Sequence, residues 1–157
     1  MSTLLQIPAV TAYAISCLVL IALFYVLAYR TGSVRMRAKA VVNPEDVRVY
    51  LGASVVEVER PEVQRVKRAH LNLIENAVPF FVVGLLYAMT EPRLLLAAIL
   101  DGVFVASRIV HAVAYSSGRQ PVRSRAWAVG VLVVAVMAGF VVWSLIAGRS
   151  SNPMSPS

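Results

Sequence analysis

Arg68, Asn72, Glu75 and Pro79 punctuate a stretch that reads RVKRAHLNLIENAVP from residue 65 to 79. At 100° per residue they fall near about 0°, 40°, 340° and 20°, one narrow stripe of an α-helix. A guanidinium, a carboxamide and a carboxylate on one stripe form a donor and acceptor set suited to a small molecule that carries both signs of charge. The stretch leads into the apolar run 77–87, so these groups enter a membrane, where ionisable side chains are costly and by default functional. The competing reading is an interfacial ion-pair network that only anchors the helix.

A second set lies downstream. Relative to Asp101, the residues Arg108, His111 and Tyr115 fall at about 340°, 280° and 320°, again one side of a helix. Arg108, His111 and Tyr115 cluster at one end, with Asp101 deeper; the plainer alternative for His111 is an interhelical hydrogen bond. Nine of the fifteen Lys and Arg residues lie between Arg30 and Arg68, and Arg119, Arg123 and Arg125 form a second basic group. If the basic loops and the two stripes converge, they build an arginine-rich pocket with one carboxylate, amides and a tyrosine. Such a pocket suits a small zwitterion with excess negative charge, held by forked arginine contacts. Apolar walls open to lipid would favour a hydrophobic second substrate. The sequence carries no Walker loop, no dinucleotide glycine fingerprint and no zinc-protease motif, and His70 and His111 alone do not make a metal site.

The elements that must position these residues are membrane spans. In 157 residues, 59% are hydrophobic and the mean hydropathy is +0.72, which predicts an all-α integral membrane protein, a four-helix bundle with spans at about 7–29, 71–90, 94–115 and 126–147. Four spans leave no room for a large soluble domain, so residues 1–149 read as one membrane domain and 150–157 as a polar, disordered tail. The net charge of +7 sits in the first and third connections, which share one side; it therefore reads as cytoplasmic loops meeting anionic headgroups, not as a nucleic-acid surface. A helix from Pro61 to Tyr87 would span about 40 Å, longer than the hydrocarbon core, so its start should project into the cytoplasm. Pro79 should kink it. Thr31-Gly32-Ser33 should break the first helix, with Gly32 as its cap, and Asn43-Pro44-Glu45-Asp46 signals a short surface helix. Glu91-Pro92 marks an external turn, and SSGRQPVRSR (116–125) a short basic turn. Gly130 and Gly139 should admit close helix contact. The lone Cys17 has no partner in the chain and reads as a small core residue. No positive charge precedes the first apolar run, which argues against a cleaved signal peptide.

Four blocks carry a resemblance: TGSVRMRAKAVVNPED (31–46), RAHLNLIENAVPF (68–80), RIVHAVAY (108–115) and QPVRS (120–124). Together they resemble the MAPEG family of integral membrane glutathione enzymes, in the branch of the microsomal glutathione transferases and prostaglandin E synthases. The resemblance implies a homotrimer with glutathione bound between subunits near the cytoplasmic side. It implies a glutathione site of Arg35, Arg68, Asn72, Glu75, His111, Tyr115, Arg123 and Ser124, with Arg68 and Arg108 as supporting members. It also implies that Arg123, Asp46 and Ser124 act in the chemistry. Leu71, Leu73 and Trp127 depart from the pattern: they stand where the synthase has an arginine, where both branches have an aspartate, and where the synthase has a tyrosine. The resulting expectation is a membrane-bound glutathione transferase that activates the thiol and conjugates it to hydrophobic electrophiles, or reduces lipid hydroperoxides, in the endoplasmic reticulum or a bacterial plasma membrane. The alternatives are a glutathione-dependent isomerase of the prostaglandin synthase kind, a small transporter using Glu75 or Asp101, and a lipid-binding scaffold.

Overall fold

Long apolar runs that start on prolines set the architecture. The computed structural model describes residues 4–150, with side chains through residue 147. Helix α1 spans Pro8–Ala38, α2 Pro61–Met89, α3 Leu94–Ser116 and α4 Gln120–Ser150. Pro8 and Pro61 sit in the first turns of α1 and α2, where the missing N–H costs nothing and the fixed φ is already helical. All four helices are long and apolar enough to cross a membrane. The all-α transmembrane bundle expected from the sequence is the observed fold, and the protein is an integral membrane protein.

The helices pack in a definite order. α1 lies against α2 and α3, α4 lies against α3 and α2, and α1 does not meet α4 among the described residues. Between them the core is built from aromatic and branched side chains. Phe80 of α2 stacks on Phe104 of α3, with ring centroids 4.2 Å apart and planes 5° from parallel. Tyr87 packs on Phe140 of α4, and Leu20, Leu27 and Met137 are fully enclosed. Tyr13 of α1 donates its hydroxyl proton to the Phe81 carbonyl at 2.7 Å and presses so close to Gly84 that a Cβ there would lie 3.0 Å from the ring. Cys17 packs half-buried against this core.

Three local expectations need correction. Gly32 neither breaks nor caps α1, which runs on to Ala38 and is capped by Lys39 in the left-handed region at φ 46°. Thr31 and Ser33 return their hydroxyls to the Leu27 and Tyr29 carbonyls, so the polar residues satisfy themselves within the helix. The block QPVRS is not a turn: α4 begins at Gln120, and the reversal after α3 is confined to residues 117–119, where Gly118 takes φ 72°. Gly139 makes no close contact among the described residues, for a Cβ there would find none of their atoms within 4 Å.

The first connection is more ordered than its composition suggests. Ala40–Val41 pairs in parallel with Ser54–Val55, and Ala40 and Val41 are buried at 1% and 0% exposure. The short helix expected after Asn43 is a 3₁₀ turn, Pro44–Arg48. At 29 residues, α2 is about 44 Å long, more than the roughly 30 Å of a hydrocarbon core. Of the polar tail, residue 150 closes α4 and the remainder lies outside the described residues.

Candidate functional site

Arg108 is the anchor of the site. It is 1% exposed, and its Nη2 donates to the Ala126 carbonyl at 2.8 Å while Nε donates to Ser107 Oγ at 3.2 Å. The guanidinium also lies over the Phe104 ring, 5.5 Å from its centroid. It fits because Gly130 has no side chain: a Cβ there would fall 2.5 Å from Nη2 and 2.9 Å from Cζ. A buried cation is tolerable only when its donors are used. The bond to Ala126 ties α3 to the first third of α4, the end that carries Arg123. Nη1 has no partner among the described residues.

One turn further, His111 is buried at 5% exposure and faces Tyr115, with ring centroids 5.6 Å apart. Arg123, in the first turn of α4, lays its guanidinium over the Tyr115 ring, 4.6 Å from the centroid, and donates to Gln120 Oε1 at 3.3 Å. Asn72 from α2, His111, Tyr115, Arg123, Ser124 and Trp127 line a cleft of about 470 Å³. Asn72 and Trp127 also border a second cleft of about 470 Å³ between α2 and α4. That cleft carries Glu75 and Asn76 at its polar end and Phe104, Val131 and Val134 along its wall. Asn76 donates to the Asn72 carbonyl at 2.8 Å. Pro79 has no N–H to offer the Glu75 carbonyl, so the backbone too presents an acceptor there. Thus five of the eight expected ligand residues meet around one cleft, and Glu75 joins through the adjoining one.

Arg35 and Asp46 do not join them within one chain. They border a separate cavity of about 390 Å³ in the first connection, with Glu59 and Lys67. Arg35 is ion-paired with Glu59, which also accepts from Lys67 Nζ at 2.8 Å. Burial alone would lift the Glu59 carboxyl, but the bonds from Lys67 and Arg35 outweigh it and hold that carboxyl below its ordinary value. Tyr50 lies beneath the Arg35 guanidinium, 5.9 Å from centroid to Cζ. Both basic connections therefore lie beside polar cavities, but the two cavities share no lining residue. Arg68 is exposed, donates to Gln64 Oε1 at 3.0 Å and borders none of these clefts. Asp101 is 3% exposed, inside the bundle, and has no hydrogen bond or ion pair among the described residues.

Two groups escape the sequence. Glu59 and Lys67 are an ordinary acid and base in a charged stretch, and nothing in their spacing shows that they clamp Arg35. Gln120 gives no sign that its amide steadies Arg123 until the QPVRS block is known to be helical. Groups of three or more His, Cys, Asp and Glu able to hold a metal ion are absent among the described residues.

The fold and the site together define a four-span membrane protein with an arginine-bearing polar cleft at one end of its bundle and an apolar groove running from it. Residues 13–143 match the MAPEG family, and the chain belongs to that family. It is 35% identical to prostaglandin E synthase of Homo sapiens over 143 residues, 90% of this chain and 93% of that one. Against prostaglandin E synthase of Bos taurus it is 38% identical over 133 residues, 84% of this chain and 86% of that one. Against microsomal glutathione S-transferase 1 of Rattus norvegicus it is 39% identical over 134 residues, 83% of this chain and 84% of that one.

Proposed function

We propose that this protein is a membrane-bound, glutathione-dependent transferase that stabilises the glutathione thiolate and delivers it to hydrophobic electrophiles. The observation that carries the reading is the pair of adjoining clefts. One is polar and bears Arg123, His111 and Ser124; the other is apolar and opens from it past Asn72 and Trp127. Glutathione has two carboxylates, an ammonium and a thiol. Glu75 is the acid for the ammonium, and the arginines are the partners of the carboxylates and of the sulfur. Arg123 is the cation for the thiolate, and Ser124 is a further donor at the same cleft, whose wall includes Tyr115. The microsomal glutathione S-transferase among the relatives supports this reading.

The second reading is a glutathione-dependent isomerase, favoured by the prostaglandin E synthases among the relatives. The two part on stoichiometry: a transferase consumes glutathione with each turnover, whereas an isomerase returns it. Conjugation of a generic aromatic halide by detergent-solubilised protein, followed as loss of free thiol, tests the first directly. Binding of glutathione without its consumption by any electrophile tried would favour the second.

The working unit in this reading is a homotrimer. Glu75 and Arg68 are exposed on the single chain, and a charge facing lipid costs about 2.5–3.5 kcal/mol on insertion scales. A closed ring would cover that face and bring the Arg35 and Asp46 cavity of one subunit toward the Arg123 cleft of the next. The basic connections face the cytoplasm in this arrangement. A monomer that binds glutathione in native mass measurements would contradict it.

A further inference from the structure

We propose that Tyr115 is the positioning residue for Arg123, acting through the face of its ring. This inference rests on the glutathione reading above, since it concerns how that site's cation is aimed. Tyr115 closes the last turn of α3 and Arg123 opens the first turn of α4, so neither residue's place depends on the other's helix alone. The guanidinium sits 4.6 Å from the ring centroid, nearer than Arg35 to Tyr50 at 5.9 Å or Arg108 to Phe104 at 5.5 Å. The negative face of an aromatic ring attracts a cation at this distance and holds a planar guanidinium flat. Arg123 also donates from Nη2 to Gln120 Oε1 at 3.3 Å, so ring and amide both contact its guanidinium. Tyr115 is itself backed by His111, which is 5% exposed, with centroids 5.6 Å apart. The Tyr115 hydroxyl makes no hydrogen bond among the described residues. What touches the cation is therefore the ring, and a half-buried arginine that would otherwise sweep the cytoplasmic surface is held at the cleft shared with Asn72 and Ser124.

The test separates ring from hydroxyl. Tyr115→Leu removes the π face and should raise the apparent pKa of bound glutathione's thiol, with kcat at neutral pH falling roughly three- to tenfold and KM for glutathione little changed. Tyr115→Phe should recover most of that loss. A Phe variant as impaired as the Leu variant would assign the role to the hydroxyl and overturn the proposal, as would a Leu variant whose thiol titrates like the parent's. A readout free of glutathione guards the conclusion: with ¹⁵N-labelled arginine, the Arg123 Nε–H resonance should show a ring-current shift that survives Tyr115→Phe and vanishes in Tyr115→Leu. If that pattern appears while the parent protein binds no glutathione, the contact stands and the glutathione reading falls. If the resonance is indifferent to both substitutions, the positioning role falls whatever glutathione does.

Discussion

Replacing Arg123 by leucine removes the one cation that, among the described residues, lines the cleft with Asn72, His111 and Ser124. A free thiol of pKa about 8.5 is only a few per cent ionised at neutral pH. A guanidinium about 4 Å from the sulfur would stabilise the thiolate by ~1 kcal/mol in bulk water and ~4 kcal/mol at the effective dielectric of a protein surface. Arg123 is half-exposed, which places it between those limits. We expect a contribution of ~1.4–2.7 kcal/mol, or about one to two units in the bound thiol's apparent pKa. If the parent's bound thiol titrates near neutrality, Arg123→Leu leaves about 1–10% as thiolate, a roughly five- to fiftyfold loss of conjugation rate at neutral pH. The assay is the ultraviolet thiolate absorbance of bound glutathione across pH, with the conjugation rate measured in parallel. Arg123→Lys should recover part of the effect, since it keeps the charge but not the flat fork that rests on Tyr115. An unchanged titration with intact glutathione affinity would refute the argument and leave Arg123 as a headgroup anchor.

Glu75→Gln should weaken glutathione binding at least tenfold in calorimetry without changing oligomer mass, because a neutral amide cannot pair with the ligand's ammonium; unchanged affinity would remove Glu75 from the site. Glu59 has its folded pKa held below the reference value of 4.5 by Lys67 and Arg35. The stability it contributes is present above that value and is lost as pH falls through it toward the lower folded value. Glu59→Gln should therefore flatten the acid limb of a thermal-stability profile, and an unaltered limb would mean that these ion pairs contribute nothing. Gly130→Ala should destabilise by about 1–3 kcal/mol, since the new Cβ would stand 2.5 Å from Arg108 Nη2; a neutral effect on thermal midpoint would show that Arg108 moves freely. Asp101→Leu should raise the thermal midpoint, because it removes a buried carboxyl with no bonding partner among the described residues; a fall would mean that a partner outside them meets it.

The helices were legible because hydropathy and length leave few options inside a bilayer, and the polar stripes because helical spacing carries α3's Arg108, His111 and Tyr115 to one side of the helix. What misled was punctuation. Thr31, Gly32 and Ser33 look like a break, yet a threonine and a serine that bond their own i−4 carbonyls let a helix continue. Pro121 looks like a turn residue, yet in the first turn of α4 it is compatible with a helix. The Glu59 clamp on Arg35 was invisible because a pairing between residues 35 and 59 depends on how the first connection folds, through the Ala40–Val41 and Ser54–Val55 pairing, which no local pattern announces. Trp127 was noticed as a departure, but its place between the two clefts follows from the α2–α4 packing.

In the proposed function this bundle binds glutathione and ionises its thiol. Titrating glutathione into the purified, detergent-solubilised protein at neutral pH, with calorimetry and ultraviolet absorbance read on the same sample, tests it most directly. Saturable binding is expected, accompanied by a thiolate band that is absent when S-methyl glutathione, which has no ionisable thiol, binds instead. Absence of saturable binding, or binding with no thiolate band at any pH below that of free glutathione's own ionisation, would contradict it.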